Sequence, residues 1–372
     1  MNDTSTGARV GRRTLNRAAL ARQSLTARAD VPALDMVRHL VGLQAQAADP
    51  PYLGLWTRLS GFTHDDLTTL LYDRSVVRSS VLRGTQHIVT AADFPWLRPL
   101  MRAPLARGRQ AAFGRATAGM DLDELAAAGR DLLVGRTLTR PRLRDLLAER
   151  WPDRDPEALA WSVQMLVPVI HRPPSGTWGK GGATPFTLAE EWLGVPMAAE
   201  PRVDELVPRY LAAFGPAGVR DLQMRSGLRG LEADLERLRP RLRVYRDETG
   251  NELFDVPEAE LPDPGTPVPV RFLPAFDNLV VAYADRTRIM TDEHRRRVCV
   301  GAMVAPTVLV DGFVRGTWKI SKDRDTAVLE VELFEPVTDG ETMTELLEEG
   351  ERLLSFAAAG RTHDVRVTTA RN

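Results

Sequence analysis

The chain of 372 residues is 43% hydrophobic, 27% charged and 6% aromatic, the composition of a globular protein with room for two to four compact domains, which argues against disordered, fibrous and membrane-embedded classes. No stretch approaches the roughly 18 to 20 uninterrupted apolar residues of a membrane span. Residues 1–7 lack the apolar run of an export signal, so a cytoplasmic protein is expected and the Asn2-Asp3-Thr4 glycosylation pattern carries no meaning. The formal net charge is −1, yet residues 1–120 hold sixteen Arg and eight Asp with no Lys or Glu, which makes this third +8 and leaves −9 for the remainder.

In chain order, residues 14–25, 31–41, 51–60 and 63–71 read as helices, the last opened by the capping box Thr63-His64-Asp65-Asp66. Residues 75–82 and 85–90 then read as a hairpin around Arg83-Gly84. A second group follows with a helix over 122–134. Its next helix is opened by a Thr cap and a first-turn Pro in Thr139-Arg140-Pro141-Arg142-Leu143 and ends near Trp151, and a third covers 156–166. Strands are expected at 167–172 and 176–180, joined around Pro173-Pro174-Ser175. In the third group, Leu206, Tyr210, Leu211 and Phe214 recur at helical spacing over 203–214, and Gly215-Pro216 stops the helix. Helices over 217–224 and 231–238 surround a turn at Gly227, and strands over 241–245 and 252–256 flank the turn Asp247-Glu248-Thr249-Gly250-Asn251. Helix, helix, turn, helix and hairpin make a winged helix.

Three tandem winged-helix modules are therefore expected, over residues 10–100, 120–200 and 201–260. A Pro-rich linker, 261–267, separates them from apolar and β-branched runs at 268–273, 279–283, 308–310, 312–320 and 327–333. These read as an antiparallel sheet or barrel over 267–372, with an amphipathic helix over 341–359 laid against it and a last strand at 365–367. The fold class is α+β.

Much common chemistry is absent from the pattern. Gly176-Thr177-Trp178-Gly179-Lys180 is not a phosphate-binding loop, because Pro174 stands where the first glycine is needed and Gly181 where a magnesium-binding hydroxyl is needed. The histidines His39, His64, His87, His171, His294 and His363 show no paired metal spacing, and no serine sits in a nucleophile elbow. Cys299 is the sole cysteine, which excludes an internal disulfide and any multi-cysteine metal site, and Val298-Cys299-Val300 reads as inert core. No metal and no cofactor are expected. The basic N-terminal third is an electrostatic footprint for phosphate, although such asymmetry is also common in multidomain proteins that bind nothing anionic.

One segment calls for a chemical reading: Leu43-Gln44-Ala45-Gln46-Ala47-Ala48-Asp49-Pro50-Pro51-Tyr52. In a continued α-helix, residues two apart point in different directions, whereas in extended backbone they face the same way. Gly42 before the segment and Asp49-Pro50-Pro51 after it favour a helix end, which lets the Gln44 and Gln46 amides converge. An amide offers a carbonyl acceptor and two N–H donors but does not titrate, which suits orienting a water or stabilising a cation. The alternative is that both side chains merely satisfy loop backbone groups, and the residues alone leave both readings open.

Gly42-Leu43-Gln44-Ala45-Gln46 followed by Pro51-Tyr52-Leu53-Gly54-Leu55-Trp56 resembles the signature of the AlkZ-like winged-helix DNA glycosylases, which include a YcaQ-like branch. Further matches are Leu82-Arg83-Gly84-Thr85-Gln86-His87, Phe214-Gly215-Pro216-Ala217, Leu273-Pro274-Ala275-Phe276-Asp277-Asn278-Leu279 with Asp285-Arg286, and Val310-Asp311-Gly312-Phe313-Val314. Together they span roughly residues 10 to 335. The resemblance implies three winged helices around a concave channel, a C-terminal β domain, and catalytic glutamines at Gln44 and Gln46. The YcaQ-like branch carries Asp at the second of these positions, so Gln46 places the chain nearer AlkZ. That branch is associated with excision of N7-alkylated purines and unhooking of bulky adducts or interstrand crosslinks, often as self-resistance to a DNA-alkylating natural product.

The implied chemistry is coherent. An N7-alkylated guanine is already cationic and departs as a neutral purine without a general acid. Placing a water and stabilising an oxocarbenium-like sugar remains, a task for the two side-chain carbonyls. A strong general base contributes about 3 to 5 kcal/mol, part of which a labile bond can dispense with. Arg83, His87, Arg286, Arg288, Arg315, Lys319 and Lys322 are the expected DNA contacts, each of which is alternatively a solvated surface charge. Gln86 departs from the family pattern, where an apolar residue more often stands between Thr and His, and either tunes the adduct pocket or is neutral. Asp277 either supports the site or caps a buried turn, the latter being favoured. No lysine is marked as a nucleophile, so the expected enzyme is monofunctional and leaves an abasic site. It acts as a monomer on alkylated double-stranded DNA, with no membrane or protein partner implied. The rival reading is a non-catalytic winged-helix DNA-binding protein or regulator.

Overall fold

The computed structural model describes residues 7–370; the Asn2-Asp3-Thr4 pattern and the last two residues of the expected C-terminal domain lie outside them. The fold is α+β, with helices and short hairpins alternating along the first 260 residues and a larger sheet after them.

Helices Arg12–Arg22, Ala33–His39, Asp49–Trp56 and His64–Tyr72 open the chain. The last begins where Thr63 donates its backbone N–H to Asp66 Oδ2 at 2.7 Å, satisfying a group the helix leaves free. Strands Val76–Ser80 and Gln86–Thr90 then pair antiparallel across a tight turn, Leu82–Gly84. Two helices absent from the sequence reading follow, Phe94–Leu100 and Arg102–Phe113. Pro95, Pro99, Pro104 and Gly108 obscure them in the sequence, yet Phe94, Trp96, Leu97, Leu100 and Leu105 are buried against Val77, Val81, Val89 and Ile170.

The second group has helices Leu122–Leu133, Arg140–Arg150 and Pro156–Leu166. Its hairpin differs from the expected one. Strand Val169–His171 pairs with Phe186–Leu188, not with residues 176–180. Gly176 and Gly179 adopt left-handed backbone, which breaks a ladder, whereas Phe186 and Leu188 bury their side chains. This hairpin also joins the first through Arg78 opposite His171, so one five-stranded sheet runs Leu43–Gln44, Gln86–Thr90, Val76–Ser80, Val169–His171, Phe186–Leu188.

Helices Val203–Phe214, Val219–Ser226 and Glu232–Leu238 precede the hairpin Arg243–Arg246 and Glu252–Asp255, to which Ala8–Arg9 adds a parallel strand. The turn forms because Asp247 Oδ1 accepts from the backbone N–H groups of Thr249 and Asn251 at 2.9 and 2.8 Å.

The C-terminal sheet is open and mixed, which corrects the expectation of an antiparallel sheet or barrel. Its order is Thr362–Thr369, Thr326–Leu333, Phe313–Lys322, Thr307–Val310, Arg271–Leu273, with its two edge strands unpaired to each other. Helix Gly340–Ala357 carries the chain back across the sheet, so the final strand runs parallel to Thr326–Leu333. Gly350 lets this helix approach closely, since a Cβ there would stand 3.0 Å from Leu329 and 3.1 Å from Val365. Residues 279–283, expected as a strand, begin with the short helix Asn278–Val281, started by Asp277 accepting from the Leu279 N–H at 2.9 Å. Helix Asp292–Val298 and the small hairpin Cys299–Val300 and Met303–Val304 were not expected. One continuous core containing Leu20, Tyr52, Phe214, Phe272 and Trp318 ties the first, third and C-terminal parts together. No helix among the described residues is long and apolar enough to cross a membrane.

Candidate active site

After helix Ala33–His39 the backbone turns left-handed at Val41 (φ 53°) and Gly42 (φ 93°). A Cβ on Gly42 would lie 2.6 Å from Val89 Cγ1, so the turn requires glycine twice over. The chain emerges extended: Leu43 and Gln44 pair with Ile88 and His87, and the Ala45 N–H donates to Gln86 O at 2.7 Å. A bend over 46–48 leads into helix Asp49–Trp56.

This backbone places both amides beside the turn of the first hairpin. Gln44 is buried and its Oε1 accepts from Arg83 Nη2; Gln46 is exposed and its Oε1 accepts from the Gln86 N–H at 3.3 Å. Gln86 itself donates from Nε2 to Ser80 Oγ at 2.8 Å.

The segment is held from several sides by residues to which the sequence reading assigned no role. Arg78 donates to Ala45 O at 2.9 Å, Gln46 O at 3.3 Å and Ser175 Oγ at 2.9 Å. Burial pushes its guanidinium down to about 10, which leaves it cationic at neutral pH. Gly176 makes room for it, since a Cβ there would meet Arg78 Cδ at 2.7 Å. Asn278 Nδ2 and Arg225 Nη2 donate to Gly42 O at 2.9 and 3.1 Å, and Asp49 Oδ1 accepts from the Gly179 N–H at 2.7 Å. Asn278 lies within a motif quoted for the family resemblance, which was the only signal for it; Arg78 and Arg225 had none.

The expected DNA contacts divide. His87 and Arg288 are turned inward, which corrects their assignment to phosphate. His87 is fully buried, its Nδ1 bonded to Thr85 O at 3.0 Å, and burial with the nearby Arg83 and Arg225 charges holds it well below the usual histidine range. Arg288 is buried, donates to Pro216 O at 2.9 Å, and lies over the Tyr283 ring at 4.1 Å. Arg83 is engaged with Gln44 and with Arg225 O at 3.0 Å. Arg286 is half-buried, with Nη1 3.0 Å from Cys299 Sγ. Three cations share strand Phe313–Lys322: Arg315 pairs with Glu335 at 2.9 Å, Lys319 with Glu330 at 3.0 Å, and Lys322 donates to Ala357 O at 2.8 Å. Asp277 is committed to Arg58, at 2.7 and 2.8 Å, and to its helix cap.

Chemically, the site offers two non-titrating amides on a rigid backbone, backed by buried guanidinium groups. Such a set can orient a water and solvate a transient charge. Among the described residues there is no group of three or more His, Cys, Asp or Glu side chains that could hold a metal ion.

An interstrand DNA cross-link repair glycosylase of Streptomyces sahachiroi is 25% identical over 339 residues, covering 81% of this chain and 85% of that protein. The solved structure of the Streptomyces sahachiroi DNA glycosylase AlkZ superposes with a TM-score of 0.80 over 97% of this chain and 100% of that one, at 23% identity, so the two share a fold. The sequence profile of the family described as DNA glycosylase AlkZ-like matches residues 37–356, most of the chain and the whole of the Gln44–Gln46 site. The chain belongs to the AlkZ-like DNA glycosylase family.

Proposed function

We propose that this glycosylase hydrolyses the N-glycosidic bond of bulky N7-alkylpurine nucleotides in double-stranded DNA, unhooking interstrand crosslinks among them, in repair or in self-resistance to a genotoxic natural product. The observation that carries the reading is the convergence of the Gln44 and Gln46 amides on one turn, at the positions where the family's catalytic glutamines fall. The alkylated purine is cationic before the reaction. Water oxygen bonds to the anomeric carbon, the bond to N9 breaks, its electron pair neutralises the departing purine, and the water's proton passes to solvent. The glutamines place that water, and the weakly engaged Gln46 carbonyl solvates the sugar cation, which needs no metal and no cofactor and leaves an abasic site.

In this reading the three helix-and-hairpin segments serve as winged-helix modules around a concave channel, and one chain encloses the duplex as a cytoplasmic monomer. Arg286, Arg315, Lys319 and Lys322 are its phosphate contacts. The test is single-turnover base release from an oligonucleotide carrying one N7-alkylguanine, read as alkali-labile sites. Gln44→Ala and Gln46→Ala are expected to lower the rate on the order of 100-fold or more with DNA affinity retained. Unchanged rates in both, or tight duplex binding without abasic product from small and bulky adducts alike, overturn the reading.

A further inference from the structure

We infer that Arg83 is a positioning residue that fixes the Gln44 amide with its carbonyl inward and its N–H group outward, so that Gln44 acts as a hydrogen-bond donor and the acceptor's part falls to Gln46. This deepens the glycosylase reading and rests on it for the identity of the reacting water.

A guanidinium has only donors, so the Gln44 atom that Arg83 Nη2 touches must be the carbonyl oxygen. The opposite nitrogen, Nε2, donates to no acceptor among the described residues and is not sealed from solvent. Gln46 is arranged differently. It is exposed, and its carbonyl accepts only a 3.3 Å bond from a neutral backbone N–H, which leaves a lone pair free.

Arg83 is itself held rigidly. It sits at φ 55° in the hairpin turn and donates from Nη1 to Arg225 O at 3.0 Å. The turn rests against Gly227, where a Cβ would lie 2.9 Å from Arg83 Cα, and Arg107 clamps Gly227 O at 2.6 Å. Burial and the Arg286 charge push the guanidinium down to about 10, so it is still cationic at pH 7. A charged donor on the carbonyl polarises the amide and strengthens its N–H as a donor.

The attacking water then has a complete set of partners. It accepts the Gln44 N–H on one lone pair, donates one proton to Gln46 Oε1 and the other to solvent, and keeps its second lone pair for the anomeric carbon. The sequence expectation of two equivalent carbonyls becomes two complementary amides.

Gln44→Glu separates the two assignments. It keeps the size of the side chain and pairs with Arg83, so folding is preserved, but it removes the donor. The inference expects Gln44→Glu to lose as much single-turnover rate as Gln44→Ala; a rate at or above wild type overturns it. Arg83→Met is expected to lower the rate about 100-fold by misplacing the amide, with duplex affinity unchanged and no further loss when added to Gln44→Ala. Additive losses, or weakened binding with the rate intact, overturn the positioning role; Arg83→Lys serves if Arg83→Met does not fold. A readout that needs no turnover is the side-chain amide resonance of Gln44 in protein labelled with ¹⁵N-glutamine. It should shift in Arg83→Met, and an unmoved resonance sinks the inference even if the substrate reading stands. Absence of excision by the wild type beside a shifted resonance sinks the substrate reading alone.

Discussion

Arg58 and Asp277, 219 positions apart, form a bidentate ion pair at 2.7 and 2.8 Å with both side chains almost wholly sealed from solvent. Arg58 also donates to Gly54 O at 2.9 Å and Gln23 Oε1 at 3.1 Å, so one guanidinium ties the first helices to the segment that follows strand Arg271–Leu273 of the C-terminal sheet. Asp277 in turn caps the helix whose first residue, Asn278, holds Gly42. Removing one partner of a buried pair strands the other's charge, which costs more than the pair itself contributes. Asp277→Ala is expected to destabilise the fold by about 3 to 5 kcal/mol in urea denaturation. A loss below about 1 kcal/mol, the scale of a surface pair, contradicts this account.

Gly227 and Gly61 give a matched comparison. Both have left-handed backbone, φ 80° and 66°, but a Cβ on Gly61 meets nothing within 4 Å while one on Gly227 meets the Arg83 backbone at 2.9 Å. Gly61→Ala should cost only the conformational strain, about 1 to 2 kcal/mol. Gly227→Ala should cost more and also slow excision, because the turn that orients Gln44 must shift. Equal effects of the two substitutions on stability and rate would show that the contact does not matter.

The backbone of the Gln44–Gln46 segment was legible because its signals are local. Gly42 ends a helix, Asp49-Pro50-Pro51 starts another, and the residues between them have nowhere to go but extended. The bounds of Val203–Phe214 were likewise readable from apolar spacing and a Gly-Pro stop. What escaped depends on distant neighbours. Whether Arg83 faces DNA or Gln44 is decided by Arg225 and Gly227, more than 140 positions away, and His87 looks like a surface wing residue, whereas the fold buries it beside Arg83 and Arg225. The strand Phe186–Leu188 lay behind a glycine-rich loop too long for an ordinary hairpin. The barrel reading failed because apolar runs carry no record of whether a sheet closes.

Stability should fall on mild acidification through the buried histidines. Burial, with Arg78 and Arg140 nearby, pushes His171 down to about 3, and burial with Arg83 and Arg225 holds His87 low as well. The unfolded chain takes up these protons near pH 6.5 while the folded one does not. Their contribution is therefore complete above that pH and is lost progressively below it, down toward 3 for His171, at up to roughly 1 kcal/mol per pH unit for each histidine. Asp93 and Asp311, held low by their arginine partners despite burial, act in the same direction but only below about pH 4. Urea midpoints at pH 7, 6 and 5 test this, and His171→Leu, which also removes an unpartnered buried Nδ1, should flatten the slope by about one proton. An unchanged slope would mean that His171 titrates normally.

Lys319 offers the cleanest probe of the DNA path. It is largely exposed on strand Phe313–Lys322, and its Nζ lies 3.0 Å from Glu330, a carboxylate that the lysine and Ser321 hold below the usual range. If this strand follows the backbone, DNA must compete with that carboxylate for the lysine. Binding of undamaged duplex should then weaken in Lys319→Ala to the same extent for every sequence, with the slope of log affinity against log salt falling by about 1. Glu330→Gln frees the lysine and should tighten binding, most visibly at low salt where phosphate attraction is least screened. Since neither substitution reaches the glutamines, the single-turnover rate at saturating enzyme should stay at the wild-type value. Two variants that leave affinity and salt slope untouched would move the DNA path off this strand.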